Sequence, residues 1–200
     1  MDLSDLFIKY GSDKFVNGYT PLYFILFDHL KSLPIKMLEI GIGTMIPGAH
    51  SSMVGYAREG YKPGGSLRAW RDFFINGEIH GADVQLDTQF DDEERITTHL
   101  CNSTNSTKVE EFIRSFDEEN VKFDIIIDDG SHVDTDQFAT LKNFYPHLKP
   151  GGIYIIEDIY PGSAVSNKPE ILKLLLGDDP FFFVGKKSNM CVIYKNKLNN

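Results

Sequence analysis

Cysteine is nearly absent from this 200-residue chain: Cys101 and Cys191 are the only two, with no ligand-like spacing between them. That excludes a disulfide framework and a cysteine-based zinc site, and it leaves two buried thiols as the expectation. Basic residues are outnumbered, 20 Lys and Arg against 29 Asp and Glu, for a net charge of −9. Nucleic-acid binding rests on clustered cations, so this balance points to small-molecule or protein partners and against nucleic acid. Long apolar runs are missing too. The stretch Leu22 to Phe27 is far short of a membrane span, and Met1-Asp2-Leu3-Ser4-Asp5 carries no basic leader. The expectation is a cytoplasmic protein without membrane association. No internal repeat or low-complexity tract is present.

What the chain does have is a set of short apolar strands that end in acid. Phe123-Asp124-Ile125-Ile126-Ile127-Asp128-Asp129-Gly130-Ser131-His132 holds three consecutive isoleucines, the pattern of a strand buried on both faces of a parallel sheet. Gly151-Gly152-Ile153-Tyr154-Ile155-Ile156-Glu157-Asp158 repeats it. Ligands of open α/β sheets bind at the carboxyl edge, where both runs deliver carboxylates. Neighbouring strands lie about 4.8 Å apart, so the two acidic ends would crowd one rim unless a cation or proton relieved them.

Earlier in the chain, Lys36 to Gly43 reads as a first strand entering a glycine turn, where Gly41 and Gly43 permit close approach of a ligand and Glu39 can accept hydrogen bonds from it. No third glycine follows at dinucleotide spacing. The 22 residues from Thr44 to Gly65 hold two prolines and five glycines and read as a functional loop. Ser66 is expected to cap the next helix, with Leu67, Trp70 and Phe74 inward, and to aim free amides at an anionic group. Glu78 to Val84 is a second strand whose Asp83 is placed for ribose hydroxyls. A third strand, Arg95 to Cys101, precedes Asn102 and Ser103, whose side chains suit a purine edge. Helices are expected at Lys108–Phe116, about Asp134–His147 and Pro169–Leu176, and a hairpin from Phe181 to Tyr194.

Residues 1–33 are aromatic-rich and read as an N-terminal helical cap on a domain spanning 34–200, one compact unit overall. Leu3, Leu6 and Phe7 share one helical face, and Tyr23, Phe24, Phe27 and Leu30 another. Tyr10-Gly11-Ser12-Asp13-Lys14 between them is a packing turn or a lid, and as a lid it adds Tyr10 and Asp13 to the cofactor-facing set. Exposed aromatics here would favour a homodimer. Strands alternating with helices and closing in a hairpin give an α/β, Rossmann-like doubly wound sheet, mostly parallel with an antiparallel C-terminal member.

Taken in order, the Leu38–Gly43 turn, Asp83, the Phe123–Gly130 strand and Leu148-Lys149-Pro150-Gly151-Gly152 resemble class I S-adenosylmethionine-dependent methyltransferases. More narrowly, Tyr10–Lys14, Gly64–Trp70, Asp128–His132 and Ile156–Asp158 look like the metal-dependent sugar O-methyltransferases that act on macrolides and rhamnosyl groups. The resemblance implies a seven-stranded sheet with the hairpin at one edge, S-adenosylmethionine over the first two strands, and Mg²⁺ at the acidic rim. Asp129, Glu157 and Asp158 would hold the metal and His132 would act as base. Asp128, of opposite strand parity to Asp129, would contact backbone or cofactor rather than the ion. Oxygen ligation suits Mg²⁺, and vicinal sugar hydroxyls chelated there would become more acidic. The acceptor implied is a sugar or a glycosylated small molecule. Two other readings stay open: a catechol-like O-methyltransferase, and a cofactor-binding module without chemistry. Enzymes of that macrolide group carry an additional N-terminal region ahead of the Tyr10–Lys14 motif.

Overall fold

The computed structural model describes residues 2–196 apart from 58, 59, 118, 119, 161, 164, 166–172, 174–179 and 188. Seven strands form one sheet: β1 (Lys36–Ile40), β2 (Glu78–Asp83), β3 (Ile96–Leu100), β4 (Phe123–Asp128), β5 (Leu148–Ile159), β6 (Pro180–Val184) and β7 (Asn189–Tyr194), in the order β3-β2-β1-β4-β5-β7-β6. The first five are mutually parallel, and β7 lies antiparallel between β5 and β6. The fold class and the edge hairpin therefore match the expectation. The helix expected at Pro169–Leu176 falls almost wholly outside the described residues.

Strand parity divides the interior in two. Met37, Ile79, Ile125, Ile127, Ile153 and Ile155 face the helices α1 (Leu3–Tyr10), α3 (Thr20–Phe27) and α4 (Gly65–Phe73). Leu38, Ile40, Ile126, Tyr154 and Ile156 face α5 (Ser106–Arg114) and α6 (Asp134–Phe144). The alternation follows from side chains of a strand pointing to opposite faces. On the first side Trp70 is wholly buried, edge-on to Phe7 at 4.9 Å and to Tyr23 at 5.0 Å between ring centres. The segment read as a cap thus shares its core with the sheet.

Three local expectations are corrected. α3 buries Leu22, Tyr23, Leu26 and Phe27, while Phe24 is 49% exposed, so the inward stripe is rotated from the one read from periodicity. α4 begins at Gly65 with Gly64 as its cap at φ 85°, not at Ser66. The reason is space: a side chain at Gly65 would meet the Tyr10 carbonyl, and only glycine lets α4 start against the end of α1. The helix expected to run to His147 gives way after Phe144 to a 3₁₀ turn at Tyr145–His147. The loop from Thr44 to Gly64 forms no helix or strand among its described residues. Among the described residues no helix is long and apolar enough to cross a membrane.

Candidate active site at the carboxyl edge of the sheet

β4 and β5 are hydrogen-bonded neighbours with Asp128 opposite Ile156, so their acidic ends emerge side by side. Asp129, His132 and Asp158 each present one ligand atom such that the three atoms lie within 4.8 Å of one another. The His132 Nε2 is 3.2 Å from Asp129 Oδ1, 3.5 Å from Asp158 Oδ2 and 3.5 Å from Ser51 Oγ. Two of these residues sit in left-handed backbone, His132 at φ 60° and Asp158 at φ 51°. Such conformations cost a non-glycine residue on the order of 1 kcal/mol or more and concentrate at functional sites. At Asp158 the turn has a use. Glu157 has the strand parity of Ile155, and the reversal at the next residue brings Asp158 to the same rim as Asp129.

Behind this rim stands a layer of holders from the N-terminal segment, which sequence reading did not find. Lys14, on the short helix α2 (Lys14–Asn17), is only 1% exposed. Its Nζ lies 2.6 Å from Asp129 Oδ2, 2.7 Å from Glu157 Oε1 and 3.1 Å from Glu39 Oε1. The Tyr19 hydroxyl donates to Asp158 Oδ1 at 2.6 Å, and the Tyr23 hydroxyl donates to Glu157 Oε1. Burial alone would discharge Lys14, but the charges of Asp129, Glu157 and Glu39 outweigh it and hold the ammonium well above its usual range. Burial likewise opposes the charge on Asp129, and Lys14 together with the His132 hydrogen bond overcomes it, keeping that carboxyl low. At His132 burial again pulls one way, while the hydrogen bond to Asp129 and the charges of Asp129, Asp158 and Asp128 pull further the other way and raise the imidazole.

The rim opens on a cavity of about 500 Å³ lined by Asp13, Asp129, His132, Asp158, Met53, Tyr56 and Tyr160 among others. A second cavity, of about 250 Å³, lies over the ends of β1, β2 and β4. Gly41, Gly43, Asp83, Asn102, Ser103 and Asp128 line it, six of the ten residues expected to bind cofactor. Gly41, at φ 88°, packs so tightly under the Asp129 carbonyl that a Cβ would overlap it. Asp83 accepts from the Ile42 and Gln85 amides, each at 2.8 Å, which fixes the glycine turn to β2. Ser103 and Thr140 share a hydroxyl hydrogen bond of 2.9 Å. Asp128 accepts from the Gly130 amide through Oδ1, and its buried Oδ2 has no protein partner. Burial, eased a little by that amide, pushes its carboxyl up to about 7. Gly43 and Ser51 line both cavities, so the two meet there.

Four of the expected cofactor residues stand elsewhere. Glu39 has the parity opposite to Ile40 and is sealed behind the sheet edge, its Oε2 accepting from Trp70 Nε1 at 2.8 Å and its Oε1 paired with Lys14. Ser66 is buried beside the Glu39 side chain. Tyr10 turns outward to Asp72, its hydroxyl donating at 2.6 Å. Asp13 lines the acidic cavity, not the one over β1 and β2. Glu157, grouped with the metal carboxylates from sequence, is 1% exposed and gives Oε1 to Lys14 and Tyr23. The donor set at the cavity suits a hard divalent ion: two carboxylates converge from different strands, and the cavity leaves room for further oxygen ligands. The partnerless Asp128 Oδ2 and the open glycine turn suit a polar ligand in the other cavity.

No family model matches the chain. It is 34% identical over 161 residues to mycinamicin VI 2''-O-methyltransferase of Micromonospora griseorubida, covering 80% of this chain and 36% of that protein. It is 36% identical over 191 residues to the 8-demethyl-8-(2-methoxy-alpha-L-rhamnosyl)-tetracenomycin-C 3'-O-methyltransferase of Streptomyces olivaceus, covering 88% of this chain and 45% of that one. Among solved structures, MycE methyltransferase from the mycinamycin biosynthetic pathway, in complex with Mg and SAH, superposes with a TM-score of 0.75 at 26% identity, over 100% of this chain and 56% of that one. The chain thus spans less than half the length of these curated relatives. It is a homologue of sugar O-methyltransferases, as its motifs led one to expect, and it has their α/β methyltransferase fold.

Proposed function

We propose that the chain carries the catalytic core of an S-adenosylmethionine- and Mg²⁺-dependent O-methyltransferase that methylates a sugar hydroxyl of a glycosylated small molecule. The observation that carries this reading is the meeting of the two cavities at Gly43 and Ser51, one floored by a glycine turn and the other by convergent acids and a histidine. The names of the relatives support the acceptor class, since they act on mycinamicin VI and on a rhamnosyl tetracenomycin.

In this reading Gly41, Gly43, Asp83, Asn102, Ser103 and Asp128 hold the methyl donor, and Asp129 and Asp158 hold the cation. Glu157 stands behind them, engaged by Lys14. When bound, S-adenosylmethionine supplies an electrophilic methyl and Mg²⁺ supplies a field that acidifies a chelated hydroxyl. His132 Nε2 takes that hydroxyl's proton as the oxygen forms its bond to the methyl carbon, the carbon–sulfur bond breaking and its electron pair returning to sulfur. Asp129 Oδ1 accepts the N–H that Nε2 gains, which favours that proton transfer. Alignment of oxygen and methyl across Gly43 and Ser51 contributes the rest of the rate.

The test is a mass-spectrometric assay with S-adenosylmethionine against glycosylated macrolides, rhamnosylated aromatic polyketides, nucleotide sugars and simple catechols. The reading expects one added methyl on a glycosylated acceptor, lost in EDTA and restored by Mg²⁺. Methylation confined to catechols, or full turnover in EDTA, would contradict it.

A further inference from the structure

Four carboxyl groups at or behind the rim are gripped by residues between positions 14 and 23: Asp129, Glu157 and Glu39 by Lys14, Asp158 by Tyr19, and Glu157 again by Tyr23. We propose that Lys14 is a positioning cation of the reaction: its ammonium binds Asp129 through Oδ2, leaves Oδ1 turned to His132 and the cavity, and supplies the positive charge that matches this site to a single divalent ion.

The geometry is specific. The buried ammonium donates to Asp129 and Glu157 and is ion-paired with Glu39 at 3.1 Å, so a swing into the cavity would break all three contacts. The two oxygens of Asp129 are divided between two tasks, Oδ2 to Lys14 at 2.6 Å and Oδ1 to His132 at 3.2 Å. Rotation of that carboxylate would break one or the other. Lys14 places a positive charge among Glu39, Asp129 and Glu157, and it repels a cation bound nearby. Its two roles therefore pull in opposite directions. Lys14 weakens metal binding through charge and raises turnover through orientation, because a displacement of about 1 Å at the reacting groups can cost about a hundredfold in rate.

This inference rests on the metal-dependent reading above, and its test separates the two. Mn²⁺ binding by the full chain is followed by electron paramagnetic resonance, which needs no turnover, for the wild type, K14M and the charge-balanced K14M/E39Q. K14M is expected to bind Mn²⁺ about tenfold or more tightly than wild type, as unscreened carboxyl groups attract the ion. Its turnover is expected to fall about a hundredfold, with S-adenosylmethionine affinity within about threefold. K14M/E39Q should return Mn²⁺ affinity to within about threefold of wild type while turnover stays low, because charge is restored and orientation is not. Should K14M not fold, the double variant decides alone: wild-type-like Mn²⁺ binding with depressed turnover supports the role. Equal or weaker Mn²⁺ binding by a folded K14M, near-wild-type turnover in either variant, or failure of both to fold even with Mn²⁺ would overturn it. Wild-type chain that binds no Mn²⁺ would overturn the metal reading itself, and this inference with it.

Discussion

Asp129 and Asp158 end two adjacent parallel strands and flank one imidazole nitrogen, His132 Nε2 standing 3.2 Å from the first and 3.5 Å from the second. Two carboxylates beside Nε2 stabilise the imidazole once that nitrogen carries a proton, and so strengthen it as a proton acceptor. H132A and H132N should therefore lower turnover by about 10² to 10⁴, the usual contribution of a general base. S-adenosylmethionine affinity should stay within a few fold. Asparagine is the better-controlled change, since it tolerates the left-handed backbone at φ 60° that alanine resists. Wild-type turnover in H132N would remove His132 as base.

Gly41 and Gly48 offer a matched pair for testing how tightly the two cavities are joined. Both lie in left-handed backbone, at φ 88° and 80°, but a Cβ at Gly41 overlaps the Asp129 carbonyl whereas one at Gly48 meets nothing within 4 Å. G48A should cost about 1–2 kcal/mol, the strain alone. G41A should cost more than that and loosen S-adenosylmethionine binding, because β1 and the end of β4 must separate. Urea unfolding and calorimetric titration check both. Equal costs would mean that the Gly41 contact yields freely.

A histidine pair far from the rim predicts an acid-sensitive fold. His80 Nδ1 and His99 Nε2 are 3.1 Å apart, and Glu78 Oε1 lies 2.8 Å from His80 Nε2. Phe112, Phe116 and Phe123 pack around the rings, and Lys36 also faces the cluster. Burial first, and the neighbouring His80 second, push His99 down to about 4. Because the folded value lies below the unfolded one, the unfolded chain binds more protons between about pH 6.5 and 4, and stability falls as pH drops through that window. H99Q, which cannot protonate, should flatten that decline in denaturant titrations from pH 7 to 4. An unchanged slope would count against the pair.

The strand ends were legible in sequence because a buried parallel strand is a run of β-branched residues, and acids directly after such a run have nowhere to go but the carboxyl edge. The convergence of Asp129 and Asp158 at one rim was foreseeable that way. The parity of β1 also held the information that Glu39 faces away from the cavity over β1 and β2, since Ile40 lines it and its neighbour must point behind. Lys14 was not legible. Its partners lie 115 and 143 residues further along the chain, and a lysine beside a glycine turn reads as solvated until the fold closes over it. The direction of Tyr10 was not legible for a related reason: the geometry of α1 against α4 sends its hydroxyl to Asp72, which no local pattern records. The left-handed turn at Asp158 could be required from sequence but not seen there.

The central claim is that β4 and β5 present one divalent-ion site beside the methyl-donor cavity. Crystals of the chain grown with Mn²⁺ and S-adenosylhomocysteine and measured for anomalous scattering test it most directly. The account predicts one strong peak within bonding distance of Asp129 and Asp158, next to a nucleoside seated over Gly41 and Gly43. An ordered Asp129–Asp158 rim with no anomalous peak, or a peak only elsewhere in the molecule, would contradict it.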